Sequence, residues 1–240
     1  MTTQIKVKIK LVIGGTLRLA WLLPLVPCPM LARGQERLAP ARESLPLLTR
    51  AEQVRQLSAD QAERAYPVRL RGVVTYFDSE SPDLFVQDST AGIWVDLGDS
   101  TKLSLRAGQL VEVEGVTSAG DFAPQIAKPT VRILGEASLP VARTVTFDRM
   151  ASGGEDSQWV EVEGIIHSAV VTRDKGYLTL AVAASGGRVT ARIPDFHQPL
   201  PRGLIDSKVR LQGACGAIFN KKKPTDWYRA ARSGLGSREA

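Results

Sequence analysis

One five-residue pattern occurs four times in the chain, as Val68-Arg-Leu-Arg-Gly72, Val111-Glu-Val-Glu-Gly115, Val160-Glu-Val-Glu-Gly164 and Val209-Arg-Leu-Gln-Gly213. In every copy two apolar residues alternate with polar ones, the period of a strand with one face buried. A glycine then follows, at Gly72, Gly115, Gly164 and Gly213, where a strand bends, bulges or meets another backbone closely. The copies start 43, 49 and 49 residues apart. Recurrence at such a period is the mark of a duplicated structural unit and constrains the fold more than composition does.

The segments between the copies repeat as well. Leu84-Phe-Val-Gln-Asp88 and Gly92-Ile-Trp-Val-Asp-Leu97 flank the turn-rich Ser89-Thr-Ala, and Tyr177 to Val182 and Arg188 to Ile193 flank Ser185-Gly-Gly187. Each pair predicts a hairpin. Pro129 to Leu134 supplies a fifth strand to the first unit. Five short strands with glycine at the bends predict an all-β chain of two tandem OB-like Greek-key barrels, over 66–142 and 143–220. A two-sheet sandwich satisfies the same alternation, but five strands are few for it. Ahead of the first barrel, Thr49-Arg-Ala-Glu52 and Ser58-Ala-Asp-Gln61 read as capping boxes opening two short helices that lie on the barrel as a lid. Residues 35–65 thus hold a linker and these helices.

Lys6, Lys8 and Lys10 precede an apolar run to about Leu31, and Ala32-Arg-Gly34 offers small residues ahead of Gln35. Residues 1–34 therefore read as a signal peptide, which implies export to the periplasm or beyond. Arg18 and the prolines at 24, 27 and 29 suit a retained spanning helix poorly. Contact with a membrane is expected only through an uncleaved leader or a lipid on Cys28. Cys215 is then the one cysteine of the mature chain, too few for a disulfide framework.

The formal charge of +6 divides unevenly along the chain. Residues 1–34 carry five basic and no acidic side chains, and 220–240 carry six basic and two acidic. The remainder is mildly acidic, which argues against a nucleic-acid partner.

No cofactor, metal or catalytic group is expected. His167 and His197 have neither metal-ligand spacing nor a nucleophile motif beside them. Asp88, Asp96 and Asp99 crowd the first hairpin without calcium-loop spacing, so they read as turn residues. The binding candidates are Trp94 and Phe85 on the first hairpin, Asp88 beside them, and Asp121 and Phe122 in the loop Gly120-Asp-Phe-Ala-Pro124. Alternation sends Ile93 and Val95 to the core and Trp94 outward, as a ligand platform, a domain-interface anchor or a seat for the helices.

Several of these segments, in this order, carry a family likeness: Leu48-Thr-Arg-Ala-Glu-Gln-Val54, Tyr66 to Tyr76, Leu84 to Asp88, Gly120 to Pro124, Asp156-Ser-Gln-Trp-Val160 and Cys215-Gly-Ala-Ile-Phe-Asn220. Together they resemble the periplasmic N-terminal region of bacterial sensor and hybrid two-component histidine kinases. The resemblance spans roughly 48–220 and implies a non-catalytic sensory or binding module for an envelope ligand or protein, cut off before its membrane helix and kinase. A stand-alone OB-type binder of oligosaccharide or single-stranded nucleic acid is the alternative, and a hydrolase lacks its residues.

Beyond Asn220 the tail 221–240 is basic and loses strand alternation, where the second barrel still needs its last strand. Pro224 to Arg229 written with permitted codons and shifted by one base reads Gln-Leu-Ile-Gly-Ile-Glu, an apolar-alternating strand. A changed reading frame after Asn220 is the expectation.

Overall fold

The computed structural model describes residues 6–12, 45–80, 83–98 and 103–218. The predicted cleavage site, Cys28, Asp99, most of the linker and the tail 221–240 lie outside these residues. The elements in chain order are β1 (Lys6–Val12), α1 (Ala51–Arg55), α2 (Ala59–Ala62), β2 (Pro67–Asp78), β3 (Asp83–Gln87), β4 (Gly92–Asp96), β5 (Gln109–Ser118) and β6 (Gln125–Glu136). They continue with β7 (Arg143–Thr144), α3 (Phe147–Ala151), β8 (Trp159–Thr172), β9 (Tyr177–Ala184), β10 (Gly187–Ile193) and β11 (Lys208–Ile218). The chain is all-β in character, with a few short helices.

The four repeats pair two by two. Repeat one in β2 runs antiparallel to repeat two in β5, setting Leu70 opposite Val113, Arg71 opposite Glu112 and Arg69 opposite Glu114. Repeats three and four, in β8 and β11, pair the same way, with Leu211 opposite Val162 and Arg210 opposite Glu163. The apolar partners enter the two cores. On the outer face the charged partners form ion pairs, Arg69–Glu114 at 2.8 Å, Arg71–Glu112 at 2.8 Å and Arg210–Glu163 at 2.8 Å. Opposite charges directly across a ladder support its register.

At the repeat glycine the long strand changes partner. β2 pairs with β5 through Val73 and with β3 from Val73 onward, while β8 pairs with β11 through Ile165 and with β9 from Gly164 onward. A β-carbon at Gly72 would lie 2.7 Å from Val86 Cγ1 and 2.8 Å from the Gln87 carbonyl oxygen; at Gly164 it would lie 2.5 Å from Val182 Cγ1 and 2.6 Å from the Ala183 oxygen. At Gly115 it would stand 2.8 Å from the Ala127 oxygen. Side chains do not fit at these crossings.

Three residues beyond each crossing glycine the ladder slips. A bulge lies between Val74 and Tyr76 in β2, and another between Ile166 and Ser168 in β8, so Thr75 and His167 hold equivalent places. An inserted residue reverses the facing of everything after it. Val74 points into the first core, and so, three residues on, does Phe77, leaving Tyr76 and Asp78 on the outside.

β2, β3, β4, β6 and β5 close a barrel in that order, with β4 parallel to β6. β6 starts at Gln125, four residues before the predicted strand, because Gln125 to Ala127 pair with Val116 to Ser118 beyond the Gly115 crossing. The second sheet has the order β11-β1-β10-β9-β8-β7, with β11 also pairing β8. The sequence reading leaves this unit a strand short and assigns residues 1–34 to a leader. In the structure β1, drawn from those residues, lies between β10 and β11. The Lys-apolar alternation of Lys6 to Leu11 has the period of a strand as well as the composition of a leader.

α1 and α2 cover one side of the first barrel, and α3 packs on the second sheet. Ser58 caps α2 reciprocally with Gln61, as the box predicts. The α1 box is displaced by one residue: Gln53 accepts from the Thr49 and Arg50 amides, while the free amides of Ala51 and Glu52 donate to Asp88 Oδ2 and Thr90 Oγ1 of the β3–β4 turn. A distant turn thus supplies the cap.

Gly72→Ala lowers the unfolding free energy by about 1–3 kcal/mol, as overpacking does, whereas Gly154→Ala, whose β-carbon would meet nothing nearer than Ser152 Oγ at 3.6 Å, is nearly neutral. Urea denaturation of both variants measures the difference. Hydrogen bonds from Arg71 and Arg132 hold the Glu112 carboxyl below its ordinary 4.5, and Arg210 and Lys208 do so for Glu163. A folded-state value below the unfolded one gives stability that is present above pH 4.5 and lost as pH falls through the folded value. The difference in urea midpoint between the parent chain and Glu112→Gln therefore shrinks below pH 4.5.

Candidate functional site

Among the described residues, the most elaborate side-chain arrangement lies between the two sheets. The register of β2, β3 and β4 sets Tyr76, Phe85 and Trp94 in one row across the outer face of the first barrel. Tyr76 and Phe85 meet edge to face, centroids 6.1 Å apart, and both are buried with Ala214 of β11, with Trp94 against them. Ile93 and Val95 enter the core as alternation requires. Trp94 faces outward, but toward the second sheet, and its buried indole N–H has no hydrogen-bond partner among the described residues.

Two residues along each strand stands a second row, Asp78, Asp83 and Asp96. Asp78 is 2% exposed. The Tyr177 hydroxyl, at the start of β9, donates to it at 2.7 and 3.0 Å from the two carboxyl oxygens, and the Tyr76 hydroxyl stands at 3.4 Å. Arg192 of β10 lies 4.0 Å from the same carboxylate, with its guanidinium 3.6 Å above the Tyr177 ring. Burial, followed by hydrogen bonding to Asp78, pushes the Tyr177 phenol well above its ordinary value; burial, followed by the Asp78 charge, does the same for Tyr76. Both hydroxyls are therefore neutral donors at physiological pH.

A second set of contacts knits the backbones. The Gly92 amide donates to Gln158 Oε1 at 3.0 Å, Gln158 Nε2 donates back to the Gly92 carbonyl at 3.2 Å, and the Trp159 amide donates to Gln87 Oε1 at 2.8 Å. A β-carbon at Gly92 would come within 2.0 Å of the Ser157 oxygen. Arg55 of α1 reaches Asp156 at 3.7 Å. The segment Asp156-Ser-Gln-Trp-Val160 is thus a clamp between the sheets, a role that no local signal in the sequence reveals.

The remaining candidates scatter. Asp88 takes the amides of Ala51, Thr90 and Ala91 and so serves turn and helix cap. Asp96 accepts from the Gly98 amide and from Gln125 Nε2. Phe122 is partly exposed with its ring over Gly153, joining the β5–β6 loop of the first barrel to the turn after α3; Asp121 beside it is exposed. His167 is exposed at the β8 bulge. His197 lies over Gly176 in a groove of about 660 Å³ with Val171, Arg173, Phe196 and Leu200. Gly213 pairs with Val160. Among the described residues no cluster of three or more His, Cys, Asp or Glu is arranged to hold a metal ion. Cys215 is buried, and its thiol is pushed up to about 12, chiefly by burial.

No protein-family model matches the chain, and no curated protein matches it.

The Tyr177–Asp78 contact yields a measurable expectation. Tyr177→Phe lowers the unfolding free energy by about 1.5–3 kcal/mol, the usual size for a hydrogen bond to a charged group. Tyr76→Phe costs less, because its hydroxyl stands farther from the carboxylate. Equilibrium urea unfolding of the two variants ranks them.

Proposed function

We propose that the chain is a non-catalytic sensory or binding module of the cell envelope, built on two tandem OB-like barrels and similar to the periplasmic part of a two-component sensor histidine kinase. The closed strand order β2-β3-β4-β6-β5, with β4 parallel to β6, supports the OB-like reading. The sequence β8, β9, β10, β11 repeats its first four strands, crossing glycine and bulge included.

The observation that carries the reading is the joint between the units. The outer face of the β2–β3–β4 sheet, on which OB folds stack bases or sugars, meets the second sheet here through Tyr76, Phe85 and Trp94. That use of the aromatics favours a two-barrel relay over a stand-alone nucleic-acid binder. Segments that carry the family likeness supply contacts of the joint or the lid: Asp156 to Val160, Phe122, and Ala51 with Glu52. Such a unit transmits a binding event by shifting one barrel against the other, since packed interfaces switch between discrete arrangements more readily than they deform.

Fractionation of bacteria expressing the full chain is expected to recover it in the envelope fraction. Recovery wholly in the cytoplasm would sink the export part of the reading. Titration with single-stranded DNA at two salt concentrations separates the two functions: a binding module of the envelope shows no salt-sensitive affinity, and micromolar binding that weakens steeply with salt would establish the nucleic-acid alternative.

A further inference from the structure

β1 occupies the place that β6 holds in the first barrel, but it runs the other way. β6 is antiparallel to β5 and parallel to β4. β1 is parallel to β11, the counterpart of β5, and antiparallel to β10, the counterpart of β4. Its register spans Lys6 to Val12 against Gln212 to Ile218 on one side and Lys8 to Lys10 against Thr190 to Arg192 on the other. The two sides of the gap therefore accept a strand whose polarity is opposite to that of its counterpart in the first barrel.

The lining explains the tolerance. On the β11 side the gap is bounded by Gly213-Ala-Cys-Gly-Ala217, where β5 carries the bulkier Gly115-Val-Thr-Ser118. Cys215 and Ala191, which flank Ile9 in the register, are buried members of the second core. Without a strand between them, β10 and β11 would present two rows of open amides and carbonyls above an exposed core, an arrangement that recruits an extended segment. Removal of residues 1–34 by leader cleavage would create that state.

We propose that the β10–β11 gap is a strand-addition site, filled in cis by Lys6–Val12, that takes an extended peptide with an apolar side chain at every second position once that segment is withdrawn. Backbone hydrogen bonds to both edges supply the affinity, and the small residues of β11 admit the apolar side chains. The site stands whether or not the chain is exported.

Cys215 reports on the gap directly. In the full-length Cys28→Ser chain its thiol is expected to react slowly with a thiol reagent. Adding Ile9→Pro, which removes a ladder amide, is expected to speed labelling about tenfold or more. An excess of the peptide Lys-Val-Lys-Ile-Lys-Leu-Val is expected to return the rate to within about twofold of the parent. Because Ile9→Pro can also unfold the second sheet, a second variant decides independently. Ile9→Cys in the Cys28→Ser background is expected to cross-link position 9 to Cys215 under mild oxidation, and the free peptide to suppress that link. Absence of the cross-link overturns the seating of β1. A cross-link that no excess of peptide suppresses overturns the acceptor site and leaves β1 a fixed member of the fold.

Discussion

Both sheets hinge on a backbone crossing where no side chain fits. At Gly72 and Gly164 one long strand leaves its repeat partner and takes up a hairpin partner, and the neighbouring strand comes so close that a β-carbon would fall within 2.8 Å of its atoms. Everything upstream of the crossing is set by cross-strand pairs of the repeats, apolar inside and ionic outside. Everything downstream inherits its facing from the bulge three residues on. A single small residue therefore fixes the corner of each unit, and the repeat pattern recurs because the corner does.

The bulge makes the joint between the sheets. Had β2 kept its alternation past Val74, Tyr76 and Asp78 would point into the first core and Phe77 outward. The extra residue, Thr75, reverses this, and its buried hydroxyl donates to the Phe85 carbonyl. Tyr76 then joins Phe85 and Trp94, and Asp78 is delivered to Tyr177 and Arg192. Such a contact is polar at one end and apolar at the other. The aromatic row gives it area, and the buried carboxylate sets this registration apart from its neighbours, because any shift of the sheets must first exchange the donors of Asp78.

What could be read from the sequence follows the range of the interactions involved. The repeat strands, both hairpins and the Ser58 cap are set by residues within a few positions of one another, and pattern alone exposes them. The outward facing of Trp94 was legible too, but its covering was not, since Ala214 lies far along the chain and nothing local announces the contact. The α1 cap is hidden for the same reason: Thr49 and Glu52 have the right spacing, yet Asp88 and Thr90 reach the free amides from the β3–β4 turn, distant in sequence. The re-phasing at Thr75 and His167 leaves a faint trace, an alternation that stumbles at the same distance past the glycine in both copies.

β1 is the sharpest case of two physical readings sharing one sequence. Lysines followed by an apolar run make a leader, and lysines alternating with apolar residues make a strand. Local composition cannot choose between them, because the choice depends on whether a gap exists elsewhere in the fold. The second sheet presents the edges of β10 and β11, the counterparts of β4 and β5, and the strand between them comes from residues 6–12. A ladder rewards extended backbone of either direction, parallel pairing being slightly weaker. The reversed strand therefore bridges β10 and β11 without reproducing the topology of the first barrel.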